Sequence, residues 1–328
     1  MTTRRELLIM LGAGALAAPL ACFAQQKGKV WRIGFLWENA HVPSDGNIGA
    51  FKAGLHELGY TEGRDYVIEH RSAQSELARL PALAAELLAL KVDVIVSSGT
   101  PSTEAARKVT HQIPILIATA GDPVGSGLAA SLRRPGGNVT GLTGLTSELI
   151  SKRLDVLRKI LPDMRRVGIL YNPDNASDAL SVRQFESDCH KLHFTPLRAP
   201  LRKAQEIPDA FNLLKRDKAQ GLLVTNSSTN LASRVTIIEQ VAKHRLAAVY
   251  GGNLYTESGG LISYAANRPD LHRRAAAYAD KIFKGAKPGD LPIEQPTKFE
   301  MILNLKTAKA LGIKIPDMVL VQVTRVIE

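Results

Sequence analysis

Small hydroxyl, amide and aromatic side chains collect at one kind of position in this sequence, immediately after short apolar runs. They are Trp37; Ser97-Ser98-Gly99-Thr100-Pro101; Ala120-Gly121-Asp122-Pro123; Tyr171-Asn172-Pro173; Asn226-Ser227-Ser228; and Tyr250-Gly251-Gly252-Asn253. Groups of these types donate, accept and stack. The chemistry they suit is the noncovalent capture of a small polar or planar molecule.

Two of these turns share a device. Thr100-Pro101 and Asp122-Pro123 each put an N-cap residue before a proline suited to the first helical position, which predicts a helix starting at each. Free N–H groups at such a start, aligned with the helix dipole, favour an anion. Ser98, Gly99 and Thr100 are therefore expected to hold a carboxylate, while Asp122, negative itself, suits a ligand donor. Trp37, Tyr171 and Tyr250 are expected to flank a planar or apolar part, with Asn226 and Asn253 closing from the other side.

Reactive chemistry finds less support. Ser98 and Ser227 lack the Gly-x-Ser-x-Gly setting of an activated nucleophile, and no catalytic residue is assigned. Arg134-Pro135-Gly136-Gly137-Asn138 looks like a phosphate loop but precedes a strand instead of following one, so it reads as a turn. No Gly-x-x-x-x-Gly-Lys-Ser/Thr run occurs, and no cofactor is expected. Cys189, His190 and His193 match no familiar metal-ligand spacing; imidazoles near a helix C-terminus suit its dipole, and no metal is expected.

The elements that must position these residues alternate along the chain. Strands are predicted at 30–36, 66–71, 92–96, 113–118 and 139–143, with helices near 48–58 and 77–90. After a helix over 147–161 the pattern restarts, with strands at 167–171, 194–197, 220–225, 247–250 and 260–264. Runs of Val, Ile and Leu with almost no alternation are what a parallel sheet covered on both faces requires. Two successive sets imply an α/β protein of two doubly wound lobes, with ligands beyond the carboxyl ends of the strands.

Composition agrees: 328 residues, 45% hydrophobic and 22% charged, suit two lobes of ordinary size. The formal net charge is +11, but Lys and Arg are scattered, their longest runs are pairs, and no basic stripe carries interleaved aromatics, so nucleic acid is not an expected partner. The N-terminus, with Arg4-Arg5, an apolar stretch from Leu7 to Leu20 and Ala21-Cys22-Phe23-Ala24, reads as a secretory leader. Cleavage is expected after Ala24, so residues 1–24 are a signal peptide, compatible with twin-Arg or Sec export, and the mature protein is periplasmic. Lipid anchoring at Cys22 is the lesser alternative, since Pro19 stands where a Leu is usual. Without the leader Cys189 remains alone and forms no internal disulfide.

Several motifs in fixed order resemble one family. They are the Gln25-Gln26 start; Leu80-Pro81-Ala82-Leu83-Ala84; Asp122-Pro123-Val124 with Gly127-Leu128; Arg134 through Gly141; Gly259-Gly260-Leu261-Ile262-Ser263-Tyr264; and Gln295-Pro296-Thr297-Lys298-Phe299-Glu300 continuing to Ala308. Together they resemble the tryptophan/tyrosine-type substrate-binding proteins of ABC transporters, over essentially the whole chain. The resemblance implies a periplasmic-binding-protein-like fold of the first type, whose chain crosses between lobes three times. It implies a first lobe of residues 29–144 plus 270–285 and a second of 145–267 plus 291–328. It further implies no enzyme activity and a monomer that delivers a small, amino-acid-like solute to a membrane permease by hinge closure. The alternative is an exported sensing subunit on the same fold, without transport.

Overall fold

Val, Ile and Leu segments long enough for one strand each, separated by helices, leave a chain no choice but parallel pairing through crossovers. In the computed structural model, which describes residues 29–39 and 46–328, this happens twice. Trp31–Glu328 form one compact unit, while the expected leader and Cys22 lie outside the described residues.

The first half contributes β1 (Trp31–Trp37), α1 (Gly46–Glu57), β2 (Tyr66–Ser72), α2 (Leu80–Ala89), β3 (Val94–Ser98), α3 (Thr100–Val109), β4 (Ile115–Ala120) and β5 (Val139–Thr143). Its strands pair in the order β2-β1-β3-β4-β5, all parallel. The second half begins with α4 (Leu149–Ile160), β6 (Arg166–Tyr171), α5 (Ala176–Lys191), β7 (Thr195–Pro200), α6 (Ile207–Arg216) and β8 (Gly221–Val224). It continues through α7 (Ser228–Ala232), α8 (Arg234–Lys243), β9 (Ala247–Tyr250), α9 (Asn253–Glu257) and β10 (Ile262–Ala266). It ends with α10 (Arg268–Phe283), β11 (Phe299–Asn304), α11 (Leu305–Leu311), α12 (Asp317–Leu320) and β12 (Arg325–Ile327). Its sheet runs β12-β11-β10-β9-β8-β6-β7, parallel except where β11 returns against β10.

Each sheet is covered on both faces. Phe35, Phe51, Val96 and Tyr278 belong to one core of the first sheet, and Leu36, Leu87, Ile95 and Ile117 to the other. The second sheet divides likewise between a core with Leu154, Phe185 and Met301 and one with Phe211, Leu222 and Tyr250. Burial on both faces is why these strands read as continuous apolar runs. Cys189 is part of the second lobe's core, and burial pushes its thiol up to about 12.

The chain leaves the first sheet after β5 and returns from β10 into α10, which packs on α1 and on β4 and β5. It crosses back before β11, giving two lobes joined by three crossings. The last crossing falls later than residue 291: Glu294 N donates to Gly141 O (2.9 Å) and Thr143 N to Glu294 O (2.9 Å), so residues 293–294 run beside β5. Among the described residues no helix is long and apolar enough to cross a membrane.

One expected element is absent. No helix follows Asp122-Pro123; residues 122–128 form turns in which Asp122 Oδ1 accepts from Gly125 N (2.8 Å) and Pro123 O accepts from Leu128 N (2.8 Å). Gly125 and Gly127 lie inside the would-be first turns, where glycine loses most backbone freedom on ordering.

Candidate functional site

In a doubly wound sheet the ligand crevice opens where successive crossovers leave in opposite directions. The first sheet has that point between β1 and β3, the second between β6 and β8. Both open into the same cavity of about 80 Å³. Glu38, Asn39 and Ser98-Gly99-Thr100 reach it from the first lobe; Asn175, Ser177, Asp178, Asn226 and Ser228 reach it from the second.

The turn after β3 is an anion site already filled from within the protein. Gly99, not Thr100, is the N-cap of α3, with φ 125° and ψ 160°, a combination essentially reserved for glycine. The Glu38 carboxylate lies on it: Oε1 accepts from Ser102 N at 3.1 Å, and a Cβ on Gly99 would come within 2.0 Å of that same oxygen. Burial pushes the Glu38 carboxyl up to about 7, outweighing the Ser102 N–H and the Arg268 charge, both of which favour ionisation. Ser228 approaches the same carboxylate from the second lobe without completing a hydrogen bond.

Ser98, the last residue of β3, also has its hydroxyl engaged. Its Oγ stands 3.3 Å from His272 Nε2 and accepts from Arg268 Nη2 at 3.1 Å. His272 Nδ1 lies 2.9 Å from Arg268 O, which can only accept, so Nδ1 carries the proton and Nε2 accepts the Ser98 hydroxyl. Burial, with the Arg268 charge in support, brings His272 down to about 3 and keeps it neutral. The imidazole is held from below by Phe35 (6.5 Å between centroids) and Trp37 (5.8 Å).

The second lobe supplies a matching carboxyl. Asn175 caps α5, its side chain accepting from Ser177 N at 3.0 Å. One turn in, Asp178 Oδ2 reaches back to accept from Asn172 N (2.8 Å) and Thr225 Oγ1 (2.6 Å). Burial still prevails and lifts Asp178 to about 6.

Two guanidiniums face these acids. Arg153, on α4, is 2% exposed and donates from Nε to Tyr264 O (2.9 Å) and from Nη1 to Thr146 O (3.4 Å). It thereby joins the segment after β5 to the strand before α10, two of the three crossings. Burial lowers it to about 10, so it remains a cation at neutral pH. Arg268 begins α10 and lines the same cavity. Asn39 Oδ1, Asn226 Oδ1 and Ser228 Oγ are buried without a hydrogen-bond partner among the described residues.

Of the residues expected from sequence, the structure brings Ser98, Gly99, Thr100 and Asn226 to the cavity wall. Trp37 is instead turned into the first core, 5.6 Å from Phe35. Tyr250 is fully buried in the second core, stacked at 5.0 Å on Tyr255. Tyr171 ends β6 and packs against that lobe's other core, and Asp122 caps its own turn outside the wall. Asn253 is tied to Glu300 (2.5 Å) and Ser263 (3.3 Å) within the second lobe. Glu38, Arg153, Asp178 and Arg268, the charged part of the site, were not expected from sequence. Glu38 and Asp178 had a readable signal, being one residue past an expected strand-end position and three past an Asn cap. Arg153 and Arg268 had none, because they read as ordinary helix-surface cations.

The profile of the family described as ABC transporter substrate binding protein matches residues 40–327. A "Tyrosine-binding protein" of Clostridioides difficile is 27% identical over 275 residues, 84% of this chain and 79% of that protein. Among solved structures, an ABC domain in complex with L-Trp from Streptococcus pneumoniae aligns with a TM-score of 0.82 at 24% identity, covering 90% of this chain and all of that one. The ligand-free, open structure of a substrate binding protein with adhesive properties from Clostridium difficile aligns at 0.67 and 25% identity, covering 91% and 99%. The fold is that of the type I periplasmic binding proteins. With all but the first 39 residues and the last one inside the family's profile, the chain belongs to the ABC transporter substrate binding protein family.

Proposed function

We propose that this chain is the extracytoplasmic solute receptor of an ABC importer. It closes its two lobes over an amino-acid-like solute and passes it, chemically unchanged, to a membrane permease. The observation that carries the reading is the double switch-point cavity, whose wall holds carboxyls from both lobes opposite two guanidiniums. An ammonium between Glu38 and Asp178 and a carboxylate against Arg153 and Arg268 would satisfy that wall, and only the closed form offers both halves at once. The leader-like N-terminus and the ligands named for the two relatives point the same way.

Calorimetric titration with a panel of L-amino acids tests it, read beside small-angle scattering. A binding amino acid should shrink the radius of gyration. Arg268→Ala should weaken binding at least 10-fold, since it leaves a desolvated carboxylate unpaired (~2 kcal/mol or more). Asp122→Ala should leave affinity unchanged. A panel with no binder, or binding indifferent to Arg268, would reject the receptor reading; loss of uptake in a strain lacking the chain would extend it to transport.

A further inference from the structure

Beside the cavity stands a buried histidine whose two ring nitrogens both lead to one residue. His272, on α10, has no exposed surface, and its ring lies 5.8 Å from that of Trp37 and 6.5 Å from that of Phe35. A ring without polar atoms would meet that packing, and a buried imidazole is costly unless its nitrogens are partnered. Here Nδ1 donates to Arg268 O (2.9 Å) and Nε2 accepts from Ser98 Oγ (3.3 Å), which in turn accepts from Arg268 Nη2 (3.1 Å). The three hydrogen bonds close a loop that starts and ends on Arg268.

That loop has one direction. The Arg268 carbonyl can only accept, so the imidazole proton sits on Nδ1 and Nε2 offers a lone pair. The Ser98 hydroxyl spends its single proton there, and what it presents to the guanidinium is an acceptor. Hydrogen bonds running head to tail in a buried setting strengthen one another. Ser98 therefore lines the cavity with no proton left for a solute carboxylate. The guanidinium, a rigid planar fork, is aimed once one of its nitrogens is fixed. With the proton on Nε2 instead, the Ser98 hydrogen would turn towards Arg268 and drive the cation off.

Resting on the receptor reading, we infer that His272 is a positioning residue for solute capture: through the Ser98 hydroxyl it aims the Arg268 guanidinium at the solute carboxylate. Trp37 and Phe35, at the back of the ring, hold the imidazole in place. Ser98 acts on the solute only by way of Arg268.

Two measurements test it. Nitrogen NMR of the ligand-free protein, with the His272 signals assigned by their loss in His272→Gln, should show a neutral ring protonated at Nδ1 from pH 5 to pH 8. A ring protonated at Nε2 overturns the inference. Calorimetric titration then uses L-tyrosine, L-tryptophan and their carboxamides as probes. Ser98→Ala and His272→Asn, whose shorter amide reaches only the Nδ1 position, should each weaken the better-binding acid about 10-fold and leave its carboxamide unchanged. His272→Gln, which can place Oε1 where Nε2 stands, should bind the acid within about 3-fold of wild type. The double variant Ser98→Ala/His272→Asn should be no weaker than either single one, since both break the same chain. Losses that multiply to about 100-fold, equal losses for acid and carboxamide, or His272→Asn binding like wild type would each overturn the inference and leave the receptor reading standing. Ser98→Ala, which removes a single oxygen, carries the acid-against-carboxamide comparison should His272→Asn not fold. A wild-type protein that binds no L-amino acid takes down the receptor reading and the inference with it.

Discussion

Glu38 shows how one side chain can change what a turn is for. Ser98-Gly99-Thr100 and the start of α3 make a good anion cradle, and the protein fills it with its own carboxylate. That end of the cavity therefore faces the solute as an acceptor. Holding the carboxyl there has a cost that depends on pH. Its value in the fold is about 7 against an ordinary 4.5, so between those limits the folded protein keeps a proton that the unfolded chain has released. Stability consequently falls as pH rises through that window, by roughly 3 kcal/mol at most for this group. Asp178, raised to about 6, contributes with the same sign. Glu38→Gln keeps the acceptor for Ser102 N and removes the charge. Urea denaturation of the ligand-free protein at pH 5 and pH 8 should show wild type losing stability and the variant losing up to ~3 kcal/mol less. Equal losses in the two proteins would mean that Glu38 ionises in water.

At the scale of elements, Arg153 ties the lobes' connections together. Its fork on Tyr264 O and Thr146 O fixes the strand entering α10 relative to the segment leaving β5, so a group that engages Arg153 touches the crossings directly. Arg153→Lys retains the cation but cannot reach two carbonyls with a planar fork. One buried carbonyl should go unmade, at ~1–3 kcal/mol, and calorimetric melting should fall by several degrees. A variant that melts with wild type would show that the fork fixes nothing. None of this was legible in one dimension. Arg153 reads as a helix cation flanked by Lys152 and Asp155, and its inward direction follows only once β5 and β10 are neighbours in space. The strands were legible, because Val, Ile and Leu on both faces leave a continuous signal; β5 and β9 match their expected bounds. Where bounds moved, as in β3 and β4, strands extend through Ser97-Ser98 and Thr119-Ala120. Small polar residues that look like loop continue the ladder and deliver their side chains to the cavity. Trp37 and Tyr250 stand at expected strand ends, yet alternation turns them inward, since a one-residue step reverses the face a side chain takes.

For the whole molecule the decisive contact is where the lobes meet. Gly121, just past β4, faces Ser177 at the start of α5; a Cβ on Gly121 would lie 1.6 Å from Ser177 Oγ and 2.5 Å from its Cβ. Rotating the hydroxyl relieves only the first overlap, so an added methyl forces the lobes apart. Gly121 does not carry the left-handed φ that would itself penalise alanine, so each lobe should still fold. Gly121→Ala should melt, ligand-free, within ~0.5 kcal/mol of wild type while binding its solute at least 10-fold more weakly. Small-angle scattering should register no contraction on saturation. Ser177→Gly removes the opposing side chain, so the double variant should recover both contraction and affinity, a coupling that independent damage at two sites would not produce. If Gly121→Ala alone binds and contracts like wild type, the lobes do not need this contact, and solute capture cannot depend on their closing as tightly as they stand here.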